Sequence, residues 1–111
     1  MPRETLDAAA GELVDAIDDA VARLLTARER TEVVRAGLAE GVPLPDLVRA
    51  EMRPLVVEVL TDVQEGLQTA GSRFRRAEAR ALHREGLSME AIAALFGVTR
   101  QRVSALLRRQ S

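Results

Sequence analysis

Apolar or small residues recur along the first third of the chain at Leu6, Ala10, Leu13, Ile17, Ala20, Leu24, Ala27, Thr31, Val34 and Leu38, in steps that alternate four and three. That spacing is the 3.5-residue period of a helix seam. Val14, Val21 and Leu25 widen the seam, so the face suits a bundle as well as a two-helix coil. A single helix over residues 5–40 would be roughly 54 Å long at 1.5 Å per residue, whereas a compact domain of this size has a radius of gyration of only about 13 Å. Such a helix either breaks or packs against a second copy. Thr26-Ala-Arg-Glu29 has the form of a capping box that would break it. Thr61-Asp-Val-Gln64 has the same form in a stretch that reads as mid-helix, so continuity is the expectation.

The stretch Gly41-Val-Pro-Leu-Pro45 ends this helix and opens a short one over 46–52. Pro54 opens another, in which Leu55, Val56, Val59, Leu60, Val63 and Leu67 keep helical spacing. Gly66 and Gly71 weaken it, and Ala70-Gly71-Ser72 reads as a boundary. Beyond it, 73–85 is helical in pattern and stops at Gly86. Ser88 is a good N-cap for a helix over 89–96, Gly97 stops that helix, and Thr99 caps a last one over 99–109. Glu40-Gly41 and Glu85-Gly86 occur at matching points of two helix-to-helix corners, which predicts the same turn chemistry at both. The expected fold is all-α: a long helix and shorter helices in an N-terminal region, 1–70, followed by a trihelical C-terminal domain, 71–111.

Charge sharpens that division. The formal net charge of the 111-residue chain is −1. Residues 1–70 hold seven Arg against fourteen acidic residues, a net of −7, and residues 71–111 hold nine Arg against Glu78, Glu85 and Glu90, a net of +6. The chain is a charge dipole. With 47% hydrophobic and 30% charged residues it has the composition of a folded protein, and with Phe74 and Phe96 as its only aromatic residues the core must be built from aliphatic side chains. The absence of cysteine removes disulfides, thiolate metal sites and a Cys nucleophile. A single His83 gives no multi-histidine metal site, and with no nucleophile, base and orienter set to assemble, neither an enzyme nor a cofactor is expected. Neither a membrane span nor a secretory leader is read from the sequence, which points to the cytoplasm. Every basic residue is Arg, as expected of a GC-rich bacterial genome.

The link Gly97-Val98 is too short for an antiparallel hairpin and forces the helices on either side to cross steeply, with Gly97 free to adopt the left-handed conformation of such a corner. The stretch GLSMEAIAALFGVTRQRVSALLRR resembles the helix-turn-helix DNA-binding family, close in flavour to those of sigma-factor region four and the resolvase-type recombinases. Ala93 stands where the family has a small residue, Gly97 at the turn, and Val103 and Leu106 at the core positions of the second helix, with Ile92, Phe96 and Val98 as hydrophobic supports. The resemblance covers about a third of the chain. It implies a last helix, 99–109, that enters the major groove of double-stranded DNA.

The residues of that helix agree on their own. Val103, Leu106 and Leu107 make an inward face and leave Arg100, Gln101, Ser104 and Arg108 on an outward stripe flanked by Arg102. Arg100 and Arg102 lie in the first turn, where the helix dipole opposes a cation by roughly 0.3 to 1 kcal/mol. An external polyanion reverses that sign, and Arg and Gln are suited to bidentate contacts with guanine and adenine edges. Ser88 is able to donate to a phosphate beside the helix N-terminus, Thr99 is counted with the DNA-binding residues, and the resemblance implies that Arg84, just before the turn, meets the DNA backbone. Arg73, Arg75, Arg76 and Arg80 read equally well as a phosphate-facing patch or as a solvated helix face, and His83 reads as a helix C-terminal cation or a solvent-facing side chain. The expectation is a DNA-binding transcriptional regulator that dimerises with its own copy through Leu6, Leu13, Ile17, Leu24, Val34 and Leu38. RNA polymerase or sigma-factor contacts are left open. The alternative is a sigma-like or anti-sigma-like adapter whose basic C-terminus binds an acidic protein surface without reading DNA. The last helix's lack of large hot-spot side chains tells against it.

Overall fold

A computed structural model describes residues 2–108. Every regular element among them is a helix: α1 (Pro2–Ala39), α2 (Leu44–Ala50), α3 (Val56–Arg84), α4 (Met89–Phe96) and α5 (Arg100–Leu107). Among the described residues no helix is long and apolar enough to cross a membrane. Arg109, placed by the sequence at the end of the last helix, lies outside the described residues.

The long first helix is continuous. Thr26, the candidate N-cap of a break, instead donates its hydroxyl to the Ala22 carbonyl at 3.3 Å, a mid-helix bond to the preceding turn. The boundary expected at Ala70-Gly71-Ser72 is not a helix end, because α3 runs through it without interruption. An interior glycine costs about 1 kcal/mol against alanine, and burial of Val59, Val63, Ala70 and Ala77 along one face of α3 outweighs Gly66 and Gly71. The helix predicted over 46–52 begins two residues earlier, with Pro45 in its first turn.

The chain forms two compact units, residues 16–67 and residues 1–15 together with 68–111, so α1 and α3 each contribute to both. The packing boundary in α3 thus falls near the charge boundary, while the first 15 residues belong with the basic C-terminal part.

In the unit 16–67, α1 and α3 pack antiparallel around Ala20, Ala27, Val59 and Val63, with Val56 and Leu67 partly buried against them. Alanines at the contact let the two backbones approach closely. Arg23 and Arg30, half-buried, flank the alanine column: Arg23 reaches Asp62 at 3.6 Å, and Arg30 donates to the carbonyls of Pro54, at 2.8 Å, and Met52. Their stems cover apolar surface while the heads stay hydrogen-bonded. One guanidinium fork on two carbonyls ties the α2–α3 connection to α1, a role the sequence did not suggest. α2 buries none of its residues fully. Its Leu47 lies against Gly37, where any Cβ would overlap the leucine side chain.

In the other unit, Ala79 of α3, Ile92 and Ala93 of α4, and Val103 and Leu106 of α5 form the core, with Leu82, Leu87, Met89, Phe96 and Leu107 packed around it. Three corners of the chain share one hydrogen-bond pattern. Val42 N–H donates to the Gly37 carbonyl, Leu87 N–H to Leu82 and Val98 N–H to Ala93, and in each case the preceding residue is a glycine with positive φ. This is the Schellman closure, which satisfies carbonyls at a helix C-terminus.

Candidate nucleic-acid interface

The stretch from α4 to α5 is built by caps. Ser88 Oγ accepts the Ala91 N–H at 3.1 Å and opens α4. Gly97, at φ 67° and ψ 35°, closes it, and Thr99 Oγ1 accepts the Arg102 N–H at 3.1 Å to open α5 three residues later. The φ of Gly97 lies in the left-handed region that side chains with a Cβ rarely adopt, which is the reason a glycine stands there. Val103 and Leu106 are buried, Ala93 is buried beneath them, and Arg100, Gln101 and Arg102 are left exposed on the first turn of α5. Ser104 is half-buried and Arg108 exposed.

Four arginines of α3 have partners within the chain, Arg73 and Arg80 while exposed and Arg75 and Arg76 half-buried. Arg73 pairs with Glu12 at 3.5 Å. Arg75 pairs with Glu78 at 3.1 Å and lies over the Phe96 ring, 3.5 Å from its centroid, a cation–π contact that joins α3 to the end of α4. Arg76 and Arg80 donate to the Ala105 and Arg108 carbonyls, each at 3.3 Å. Those carbonyls belong to the C-terminal turn of α5, where unsatisfied acceptors and the negative end of the dipole favour a cation. Exposed Arg73 and Arg80 fit the solvated helix face that the sequence offered as one reading, while Arg75 and Arg76 are drawn partly into the fold. Spacing alone shows a charged helix face; the partners are acceptors that a distant helix brings there. His83 is exposed, with Nδ1 donating to the Leu87 carbonyl at 3.2 Å across the corner after α3.

The basic surface is therefore smaller than the count of arginines, and more defined. Arg100 has a partner, Glu90 of α4, at 3.0 Å through Nε. Arg84 and Arg102 are exposed and form no ion pair or side-chain hydrogen bond with the described residues. Arg84 and His83 line an open groove of about 720 Å³ that also takes in Arg80, Thr5 and Leu107. Thr99 and Ser88 spend one acceptor each on their caps, and each hydroxyl keeps its proton for an external acceptor.

Of the positions the sequence assigned to a dimer, Leu6, Leu13 and Val34 are half-buried within the chain, while Ile17, Leu24 and Leu38 are exposed. The seam was read across two adjacent columns of α1. In the unit 16–67 the chain's own α3 packs on Ala20 and Ala27, with Arg23 and Arg30 half-buried beside them. Small side chains attract less notice in a hydrophobic pattern than leucines, and here they mark the closer contact. Compared with known proteins, the chain matches no family model, no curated protein and no solved structure.

Proposed function

We propose that this chain is a sequence-specific double-stranded DNA-binding transcriptional regulator of the bacterial cytoplasm, in which α4 and α5 act as a helix-turn-helix and α5 enters the major groove. The observation that carries this reading is the first turn of α5. It buries Val103, keeps its N-terminus capped by Thr99, and leaves Arg100, Gln101 and Arg102 outward at a helix end whose dipole disfavours cations. Arg102 in particular has no acidic partner to account for it. Arg84, Ser88 and Thr99 contact phosphate, Arg108 flanks the groove, and Arg76 and Arg80 hold α5 from behind. A homodimer would set two such helices on half-sites about 34 to 36 Å apart.

The test is a selection of bound sequences from random duplexes, followed by affinity measurements across salt. A palindromic sequence is expected. Arg84→Ala should weaken binding to all duplexes alike and lower the salt slope by about 1 per site. Arg100→Ala with Gln101→Ala should relax the selected sequence. Binding insensitive to salt, or an unchanged preference in the double variant, overturns the proposal, and failure to shift any duplex at moderate salt is the outcome expected of an adapter.

Glu90 adds a prediction of opposite sign. Its pair with Arg100 is exposed on both sides and worth about 0.2 to 1 kcal/mol. Glu90→Gln should free the guanidinium and tighten binding by about 1.4- to fivefold, equivalent to that energy. Anisotropy titrations at fixed ionic strength would show it, and weaker binding would mean that Glu90 positions Arg100 instead of restraining it.

A further inference from the structure

The unit 16–67 buries little and exposes much. Its fully buried hydrophobic residues are two alanines and two valines, while Ile17, Val21, Leu24 and Leu25 of α1 and Val57 and Leu60 of α3 are between 41% and 66% exposed. At about 100° per residue, the four α1 residues lie on one flank of the Ala20–Ala27 column. Val57 and Leu60 lie on the corresponding flank of the column formed by Val59 and Val63. Because α1 and α3 run antiparallel, the two flanks fall on the same side of the pair and form one apolar face. Along α1 it continues as Ile17, Val21, Leu24, Arg28, Thr31, Arg35 and Leu38, again in steps of four and three.

We infer that this face is covered by the same face of a second copy, α1 against α1 in antiparallel orientation, to give a four-helix bundle. Area supports that occupant. Six half-exposed aliphatic side chains would remove about 500 Å² of apolar surface per copy, and with a polar rim this approaches the roughly 800 Å² per partner of a stable interface. Charge fixes the direction. Arg28 stands on the face, exposed, with no ion pair or side-chain hydrogen bond among the described residues. A parallel arrangement would set Arg28 on Arg28 and Arg35 on Arg35. An antiparallel one with its two-fold axis between Ala22 and Arg23 places Val21 opposite Leu24 and brings Arg28 to Ile17 and the neighbouring Asp18 of the second copy. An isologous interface of this kind closes on itself and stops at two copies.

The dimer reading of the DNA-binding proposal gains its surface here, yet the inference is tested without DNA. Sedimentation equilibrium of the full chain should show a dimer. Val21→Glu with Leu24→Glu should raise the dimer dissociation constant by about 100-fold or more, two charges having been placed in a dry interface, while helical circular dichroism is retained because both side chains are exposed in the single chain. The chain has no cysteine, so single replacements report proximity cleanly. Leu24→Cys should cross-link to its own copy with a short bismaleimide. Leu38→Cys should not, since antiparallel packing sets those positions about 46 Å apart at 1.5 Å per residue. Asp18→Arg should weaken the dimer, and Arg28→Asp in the same chain should restore it. A monomer at about 100 μM, far above working dissociation constants, or a dimer indifferent to the paired glutamates, overturns the interface. Equal cross-linking at both cysteines, or no rescue by the charge exchange, overturns the antiparallel register.

Discussion

Ile92→Ala is expected to destabilise the unit that contains α4 and α5 by about 2 to 5 kcal/mol, the largest effect of any single truncation in the chain. Ile92 is 0% exposed and sits among Ala79, Ala93, Val103 and Leu106. The cavity left by a missing isoleucine cannot close fully, because its neighbours are held in helices and three of them, Ala79, Ala93 and Val103, are small or β-branched. α4 and α5 have eight residues each, well below the length at which a helix persists without tertiary support. Loss of this contact therefore removes the elements as well as their packing. Urea denaturation followed by circular dichroism would measure it, and a loss below 1 kcal/mol would mean that the core lies elsewhere. The variant should also lose affinity for all duplexes equally, since the whole outward turn depends on α4.

Arg102→Ala should move stability and binding in opposite directions. The side chain is exposed, makes no ion pair or side-chain hydrogen bond among the described residues, and lies where the positive end of the α5 dipole repels it. Its removal should raise folding stability by a few tenths to about 1 kcal/mol. If it contacts a base edge or a phosphate, the same change should weaken DNA binding by about 1 to 3 kcal/mol, or roughly five- to 150-fold. A thermal melt and a binding isotherm on one sample decide the matter. A variant that loses stability, or that binds as well as the parent, removes Arg102 from the interface. Arg100→Ala has no such clean sign, because it also breaks the pair with Glu90.

Much of the C-terminal arrangement was legible in the residues themselves. Ser88, Gly97 and Thr99 are local signals, each acting within three or four residues, and each performs the turn or cap that its type predicts. The Glu-Gly steps at 40–41 and 85–86 also announced corners of the same construction. What the sequence did not show is long-range. Nothing in the spacing of Arg73, Arg75, Arg76 and Arg80 reveals that a ring, a carboxylate and two carbonyls from other elements would meet them. The continuity of α3 across Gly66 and Gly71 was obscured because propensity is local and weak, whereas the buried face of α3 is sustained over many turns. The period of the α1 seam matches a continuous helix, while the contact with α3 inside the chain is carried by Ala20 and Ala27. Periodicity gives the spacing of a stripe but not which edge of a wide stripe a particular partner occupies.

The pairing of Glu90 with Arg100 bears on how a reader of DNA would avoid the wrong sites. A guanidinium already held by a carboxylate is partly withheld from the diffuse attraction that any phosphate backbone exerts. The contact with Glu90 is made at Nε, 3.0 Å from one carboxylate oxygen, whereas a guanine edge offers two acceptors in the geometry of the fork. The exchange is favourable only where both acceptors are presented in register. Arbitrary sequence, which offers no such pair, must compete with an anion the protein carries itself. Discrimination then arises from an added cost at incorrect sites and needs no extra contact at the correct one. On this view the last acidic residue before the turn acts as an internal rival to the operator.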